Sequence, residues 1–296
     1  MEKYAIILNP FAGRGKAAKI EHQILGEFKK QIGGYDLFKT EYPNHAKEIA
    51  EQIKMSYPVV IAAGGDGTVN EAVNGLIGGQ AVLGAIPVGS GNDFCKMLNL
   101  PKKLTEVIQV IRQNKRKWID IGKVGDRFFP NGLGIGFDAW VVKESMKVKK
   151  LRGFLIYLYS VLKTTFSYHN ASITLSINGK TSQRDIFLIA VGNGKAMGGG
   201  FFLNPAAEFD DGLLDVCIIR ALNKREVFLN LPKAINGKHI YIEQVEVART
   251  TQLQITCEEG IAAHADGELL GLSLKKLDIS IIPSALKVIY NEKSLN

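Results

Sequence analysis

Pro58-Val-Val-Ile-Ala-Ala-Gly64-Gly-Asp66-Gly-Thr68-Val-Asn-Glu71 sets an apolar run directly against a glycine-rich turn and then a helix-forming stretch. The run 58–62 is continuously apolar, which is how a strand buried on both faces reads. Working outward, 4–8 and 35–39 read as further strands, 16–31 and 44–55 as helices, with Asn44 placed to cap the second. Downstream, 68–76 reads as a helix and 81–86 as a strand. A βαβαβαβ order requires a parallel sheet with helices on both faces, and such sheets bind ligands beyond the carboxyl ends of their strands.

Composition bounds the rest. The 296 residues carry 37 Lys+Arg against 29 Asp+Glu, a net charge of +8, with 46% hydrophobic residues. That is enough apolar surface to exclude disorder of the whole, and the length suits two domains. Cys95, Cys217 and Cys257 show no paired spacing, so neither a disulfide framework nor a structural zinc site is expected, and a reducing compartment fits. The apolar run 4–8 stops at Asn9-Pro10, and the longest uncharged apolar stretch, 153–162, has ten residues, well short of the roughly 20 that span a bilayer. The expectation is a cytoplasmic protein.

Three glycine-rich turns end three of the predicted strands. They are Asn9-Pro-Phe-Ala-Gly13-Arg-Gly15, Ala63-Gly-Gly-Asp-Gly-Thr68 and Pro87-Val-Gly-Ser90-Gly-Asn-Asp-Phe94. Glycines let backbone amides approach a ligand without Cβ interference, and a following helix N-terminus adds partial positive charge, so each turn is a natural phosphate seat. Asp66 could orient a magnesium-bound water, or could cap its own helix. There is no P-loop, no H-E-x-x-H and no G-x-S-x-G. Gly132-Leu-Gly-Ile-Gly136 lacks the βαβ frame of a dinucleotide fingerprint and reads as glycine in a crowded sheet.

After Trp118 the pattern changes to strands punctuated by Gly125-Asp126, Asn178-Gly179, Asp211-Gly212 and Asp266-Gly267, so a second, mostly β domain is expected from near residue 125. Strands over 171–177, 186–191, 213–220, 245–249, 252–257 and 274–282 suit an antiparallel sandwich. One helical stretch, 139–166, interrupts them. It carries Lys143, Lys147, Lys149, Lys150 and Arg152 with one Glu, a local +4, beside an apolar stripe. That arrangement suits either a solvated helix face or peripheral contact with an anionic membrane. Without interleaved aromatics it does not suggest nucleic acid.

The motifs Asn9-Pro-x-Ala-Gly13, Thr40 with His45-Ala46, Gly64 through Glu71, Pro87-x-Gly-Ser-Gly-Asn-Asp-Phe94, Asn193-Gly194, Pro205 through Asp215 and Asp266-Gly-Glu268 together resemble the bacterial diacylglycerol kinase-like lipid kinases, the diacylglycerol/sphingosine kinase catalytic-domain type. The resemblance implies a Rossmann-like α/β domain with a parallel sheet over 1–124, joined by a returning segment at about 285–296. It implies a mostly antiparallel β-sandwich over 125–284, in the NAD kinase/diacylglycerol kinase manner, with the active site between the two. It places nucleotide contacts at Asn9, Pro10, Gly13, Thr40, Gly64, Gly65, Asp66, Gly67, Thr68, Asn70, Glu71, Ser90, Gly91 and Asn92. A structural Mg2+ would be held by the Asp211 carboxylate and by backbone carbonyls near Glu208 and Leu213, and Asp266 and Glu268 would be the catalytic carboxylates, with Asp66 assisting. Asn44 and Ser90 depart from the Gly and Thr frequent at those places, and both keep the chemistry. A homodimer is implied by the resemblance alone.

The residues agree with phosphoryl transfer to an alcohol, which needs a seat for a polyanion, a metal to neutralise developing charge and a carboxylate near the attacking hydroxyl. If extended, the segment would put Asp266 and Glu268 on one face. Read locally, Asp266-Gly267 equally suits a type I′ hairpin turn, and Asp211-Gly212 a turn of the same kind. The expected activity is ATP- and Mg-dependent phosphorylation of a lipid hydroxyl, diacylglycerol giving phosphatidic acid, at the inner face of the membrane. The alternatives are an NAD kinase-like enzyme sharing the Gly64–Thr68 turn, or a non-catalytic nucleotide-binding membrane adaptor.

Overall fold

The computed structural model describes residues 3–148, 151 and 154–292. The chain divides into one unit of Met1–Ile119 with Ser284–Asn296 and a second of Asp120–Pro283.

In the first unit β1 (Tyr4–Leu8), α1 (Ala12–Gln31), β2 (Tyr35–Lys39), α2 (His45–Ile53), β3 (Val59–Gly64), α3 (Asp66–Leu76), β4 (Val82–Pro87), α4 (Asp93–Met97) and α5 (Leu104–Gln113) follow in order. β1 pairs in parallel with β2 and β3, and β3 with β4. A segment from the end of the chain adds Val288 in parallel beside Leu83. Every residue of β1 and β3 is buried, as their unbroken apolar sequence demands. Helices pack in two pairs, α1 with α5 and α2 with α3. Gly13, Arg14 and Gly15 have φ of 60°, 59° and 81°, so α1 is regular only from Lys16 onward. Asn44 stands at the expected cap position of α2 but is left-handed and makes no side-chain cap bond. The acceptor comes from elsewhere in the chain: the Glu71 carboxylate takes the amides of Asn44 (2.9 Å) and Ala46 (3.1 Å).

The division between the units lies within β5 (Arg116–Val124), at Ile119–Asp120 and not at 124–125. Then come β6 (Arg127–Phe129), β7 (Gly132–Gly136), α6 (Phe137–Ser145), α7 (Phe154–Ser167), β8 (Ala171–Ile177), β9 (Lys180–Gly192), β10 (Leu214–Arg220), α8 (Lys224–Ile235), a 3-10 turn (Lys238–Tyr241), β11 (Val245–Thr250), β12 (Gln252–Ala265) and β13 (Glu268–Ile289). β7 and β8 each bridge the long strands β9 and β12 at opposite ends, which folds the antiparallel sheet back on itself.

Alternation along β10 sorts its side chains into two cores. Leu214, Val216 and Ile218 join Leu133 of β7, Leu175 of β8 and Ile255 of β12 inside the strands. Cys217 and Ile219 face outward, where Phe137, Val141, Val161 and Val227 from α6, α7 and α8 cover them. All three cysteines are buried free thiols.

Several expectations change here. The stretch 139–166 is two helices, α6 and α7, joined through a turn after Ser145. The two pack on each other, which one straight helix cannot do, and apolar periodicity alone does not reveal such a reversal. Lys143 lies in the last turn of α6 with its ammonium 4.2 Å from the Trp140 ring centroid, and Lys147 lies past the helix end, paired with Glu144. Lys149, Lys150 and Arg152 lie outside the described residues. Asp211-Gly212 is not a hairpin turn, because a long connection precedes β10 there.

Candidate active-site elements

The first unit gathers its three glycine turns because β1, β3 and β4 are parallel neighbours, so their carboxyl ends lie side by side. The turns touch through backbone. A Cβ on Gly13 would lie 2.4 Å from the Val88 carbonyl oxygen, and one on Gly89 would lie 2.5 Å from the Gly65 Cα. No larger residue fits either place without moving main chain. The Asp66, Gly67 and Thr68 amides precede the first intrahelical bond of α3, from the Val69 amide to the Gly65 carbonyl (3.1 Å). These first-turn donors have the helix dipole behind them, the geometry that the predicted anion seat would need.

Side chains around this seat are fixed by one another. Asn9 donates through Nδ2 to the Thr68 hydroxyl (2.9 Å) and accepts the Phe11 amide at Oδ1 (2.9 Å). Thr40 is buried at the end of β2, its amide on the Leu8 carbonyl (3.0 Å). Asn70 accepts from Asn74 (3.1 Å) within α3, and Ser90 is exposed. Asn92 is left-handed and donates to the Gly89 carbonyl (2.9 Å).

Two carboxylates do something other than expected. Asp66 does not cap its own helix, where Gly65 holds the cap position. It accepts the amides of Asn92 (2.6 Å) and Phe94 (3.3 Å), tying the turn after β3 to the turn after β4. Burial, reinforced by the charge of Asp93, pushes its pKa up to about 6. Glu71 turns to the N-terminus of α2, where each of its oxygens accepts a protein amide.

In the second unit Asp266 and Gly267 form the two-residue turn between β12 and β13, with φ of 47° and 85°, the geometry of a type I′ hairpin. Asp266 is therefore not extended, and the shared-face argument for Asp266 and Glu268 fails. The turn instead seats Asp266 on the backbone of Gly132. Its carboxylate accepts the Gly132 amide (2.7 Å), and its amide donates to the Gly132 carbonyl (2.9 Å). Glu268, the first residue of β13, pairs with Arg127 of β6.

His264 and Asp138 were not anticipated. His264 Nδ1 accepts the Gly267 amide (3.1 Å), which requires the proton on Nε2, and Nε2 donates to Asp138 Oδ2 (2.9 Å). The Asp-Gly-Glu hairpin is thereby linked to the first turn of α6. The only signal in sequence was a histidine two residues before Asp266, and nothing local names its partner.

Of the expected metal ligands, Asp211 accepts the Leu213 amide (3.0 Å) and pairs with Arg249. Arg249 Nε lies 3.6 Å from Asp215 Oδ2, a buried oxygen without a hydrogen-bond partner. Burial, then the charge of Glu208, pushes the Asp215 pKa up to about 6. Among the described residues no group of three or more His, Cys, Asp or Glu side chains is placed to hold a metal. The donors here are nevertheless all hard oxygens, one of them orphaned, and that chemistry suits Mg2+ with backbone carbonyls completing the set.

An apolar cavity lies between α6, α7 and α8 and the outer face of β9 and β10. Phe137, Tyr157, Phe201 and Leu231 are among its walls, and Asp138, Asn230 and His239 are its polar members. Among the described residues no helix is long and apolar enough to cross a membrane.

Comparison with known proteins matches residues 3–124 to the diacylglycerol kinase catalytic domain and residues 132–290 to the YegS C-terminal NAD kinase beta sandwich-like domain. A diacylglycerol kinase of Bacillus subtilis is 29% identical over 279 residues, covering 92% of this chain and 91% of that one. A protein of Pseudomonas putida named "Probable lipid kinase YegS-like" is 32% identical over 225 residues, 75% of this chain and 74% of its own. The crystal structure of a diacylglycerol kinase from Bacillus anthracis shares the fold with a TM-score of 0.77, at 23% identity over 98% of this chain and 97% of that one. With both units matched in order, the second as a β-sandwich-like domain, the chain belongs to the diacylglycerol kinase-like family of lipid kinases and is a phosphotransferase.

Proposed function

We propose that the protein transfers the γ-phosphoryl group of ATP to the hydroxyl of diacylglycerol, giving phosphatidic acid and ADP. The apolar cavity carries this reading, because a nucleotide acceptor would have no use for a slot walled by aromatic and aliphatic side chains, whereas an acyl chain would fill it. In this reading the turns at Gly13, Gly64–Thr68 and Gly89–Asn92 seat the triphosphate on backbone amides. Asn9, Pro10, Thr40 and Asn70 shape the nucleotide end, while Asp66 holds two of the turns in register.

Asp266 accepts the proton as the lipid oxygen attacks the γ-phosphorus and the bond to the β-phosphate oxygen breaks. Gly132 orients that carboxylate, and Arg127 positions Glu268 beside it in the chain. Asp211, with the carbonyls of Glu208 and Leu213, would hold Mg2+, which when bound would supply charge neutralisation and structural order around that loop.

The test is incubation with labelled ATP and vesicles containing diacylglycerol. Labelled phosphatidic acid is expected, with Asp266→Asn abolishing turnover and retaining ATP binding. Transfer to NAD in place of the lipid, or unchanged turnover by Asp266→Asn, would refute the proposal.

A further inference from the structure

We infer that the outer face of α7, continued by α8, is a docking surface for an anionic lipid bilayer. Leu155, Tyr159, Leu162 and Phe166 are 55%, 45%, 37% and 64% exposed. Their spacing of four, three and four residues puts them on one stripe. The opposite side of the same helix is also apolar, with Tyr157 and Val161 lining the cavity. Ser160 and Thr165 bond back to the carbonyls of Ile156 and Val161 (both 2.8 Å), so the buried hydroxyls ask for no outside partner. A helix apolar on two opposite sides belongs in an apolar surrounding, yet among the described residues this one has protein on one of them only.

The stripe extends onto α8. The Phe166 and Phe228 rings are 5.8 Å apart, and Leu229 beside them is exposed. Cations border it. Lys224 donates to the Phe166 carbonyl (2.9 Å), and Arg225 and Lys233 are exposed. The nearby acids are occupied: Glu144 pairs with Lys147 and Lys163, and Glu226 serves the capping box of α8 with Asn223.

An apolar stripe with a cationic border fits the interface of an anionic bilayer, with the helix lying in the headgroup plane. A second copy of the chain fits worse, because a two-fold contact through this face would set its lysines against themselves. The helices that would touch the bilayer are also the cavity walls, so an acyl chain leaving the membrane has a short path inward. Only that last point rests on the lipid-kinase reading.

The experiment is sedimentation with vesicles of equimolar phosphatidylcholine and phosphatidylglycerol, beside vesicles of phosphatidylcholine alone. The wild type binds the mixed vesicles more strongly. Leu162→Asn with Phe166→Asn lowers the partition coefficient about a hundredfold, roughly tenfold for each side chain. Lys224→Glu with Lys233→Glu removes the preference for the anionic vesicle. The variants stay folded, their melting temperatures lowered only as far as the partly packed Leu162 and the lost Lys224 bond require, and turnover of a water-soluble short-chain diacylglycerol is unchanged. Wild-type partitioning by the Asn pair would overturn the inference, as would a wild-type dimer that the Asn pair dissolves. Absence of turnover on the soluble lipid by the wild type would sink the diacylglycerol reading and leave the vesicle result standing.

Discussion

Asp66→Asn separates the cost of a buried charge from the value of the bonds it makes. Burial and Asp93 raise the Asp66 pKa from 3.8 to about 6, against the pull of the amides it accepts. With the folded value above the unfolded one, the native chain keeps the proton longer, so the group's stabilising contribution is whole below about pH 3.8 and is lost as the pH rises through 6. A rise of that size corresponds to about 2–3 kcal/mol, allowing for the part of the residue that solvent reaches. Asparagine has no charge to bury. Its oxygen can keep the Asn92 amide, but its NH2 then meets the Phe94 amide, a loss of about 1 kcal/mol. The wild type is therefore the more stable protein at about pH 4, by about 1 kcal/mol, and the variant is the more stable by about 1–2 kcal/mol at about pH 8. Urea unfolding in a Trp140→Phe background, where Trp118 reports the first unit alone, measures the difference at each pH. A difference that stays constant from acid to alkaline conditions would show that Asp66 is not held as described.

Three further changes probe the site. Glu71→Ala strands the Asn44 and Ala46 amides and should cost about 1–3 kcal/mol in thermal or urea unfolding; unchanged stability with weakened ATP binding would give this residue a nucleotide role in place of the structural one. Gly89→Ala places a Cβ 2.5 Å from the Gly65 Cα and 2.9 Å from Asn92 Oδ1, so calorimetry should show lower stability, by about 1–3 kcal/mol, together with weaker ATP binding. His264→Asn can still accept the Gly267 amide, whereas His264→Gln reaches toward Asp138 and abandons it. If hairpin placement governs turnover, Gln lowers kcat about tenfold more than Asn at similar KM; equal kcat in the two variants would count against it.

The early helices and strands were legible because their apolar periods were unambiguous, and the three glycine turns stood out because each followed a strand at once. The Asp266-Gly267 turn could likewise be read as a hairpin, since both residues tolerate positive φ. Less was legible where two apolar surfaces meet. α6 and α7 ran together into one expected helix, and α8, with its Asn223–Glu226 capping box, passed unnoticed between two strands.

Local sequence thus determined the first unit's strands, the glycine turns that end them and the Asp266-Gly267 hairpin, because strand period, glycine freedom and helix polarity act within a few residues. It could not determine what each carboxylate touches. Asp66 reaches Asn92 and Phe94, Glu71 reaches the start of α2, and Asp138 finds His264 across 126 residues. Those pairings depend on which strands lie side by side and which helices cover them. The same packing decided that one side of α7 lines a cavity while the other is left open, because periodicity marks both sides as apolar and only the folded chain supplies a neighbour to one of them.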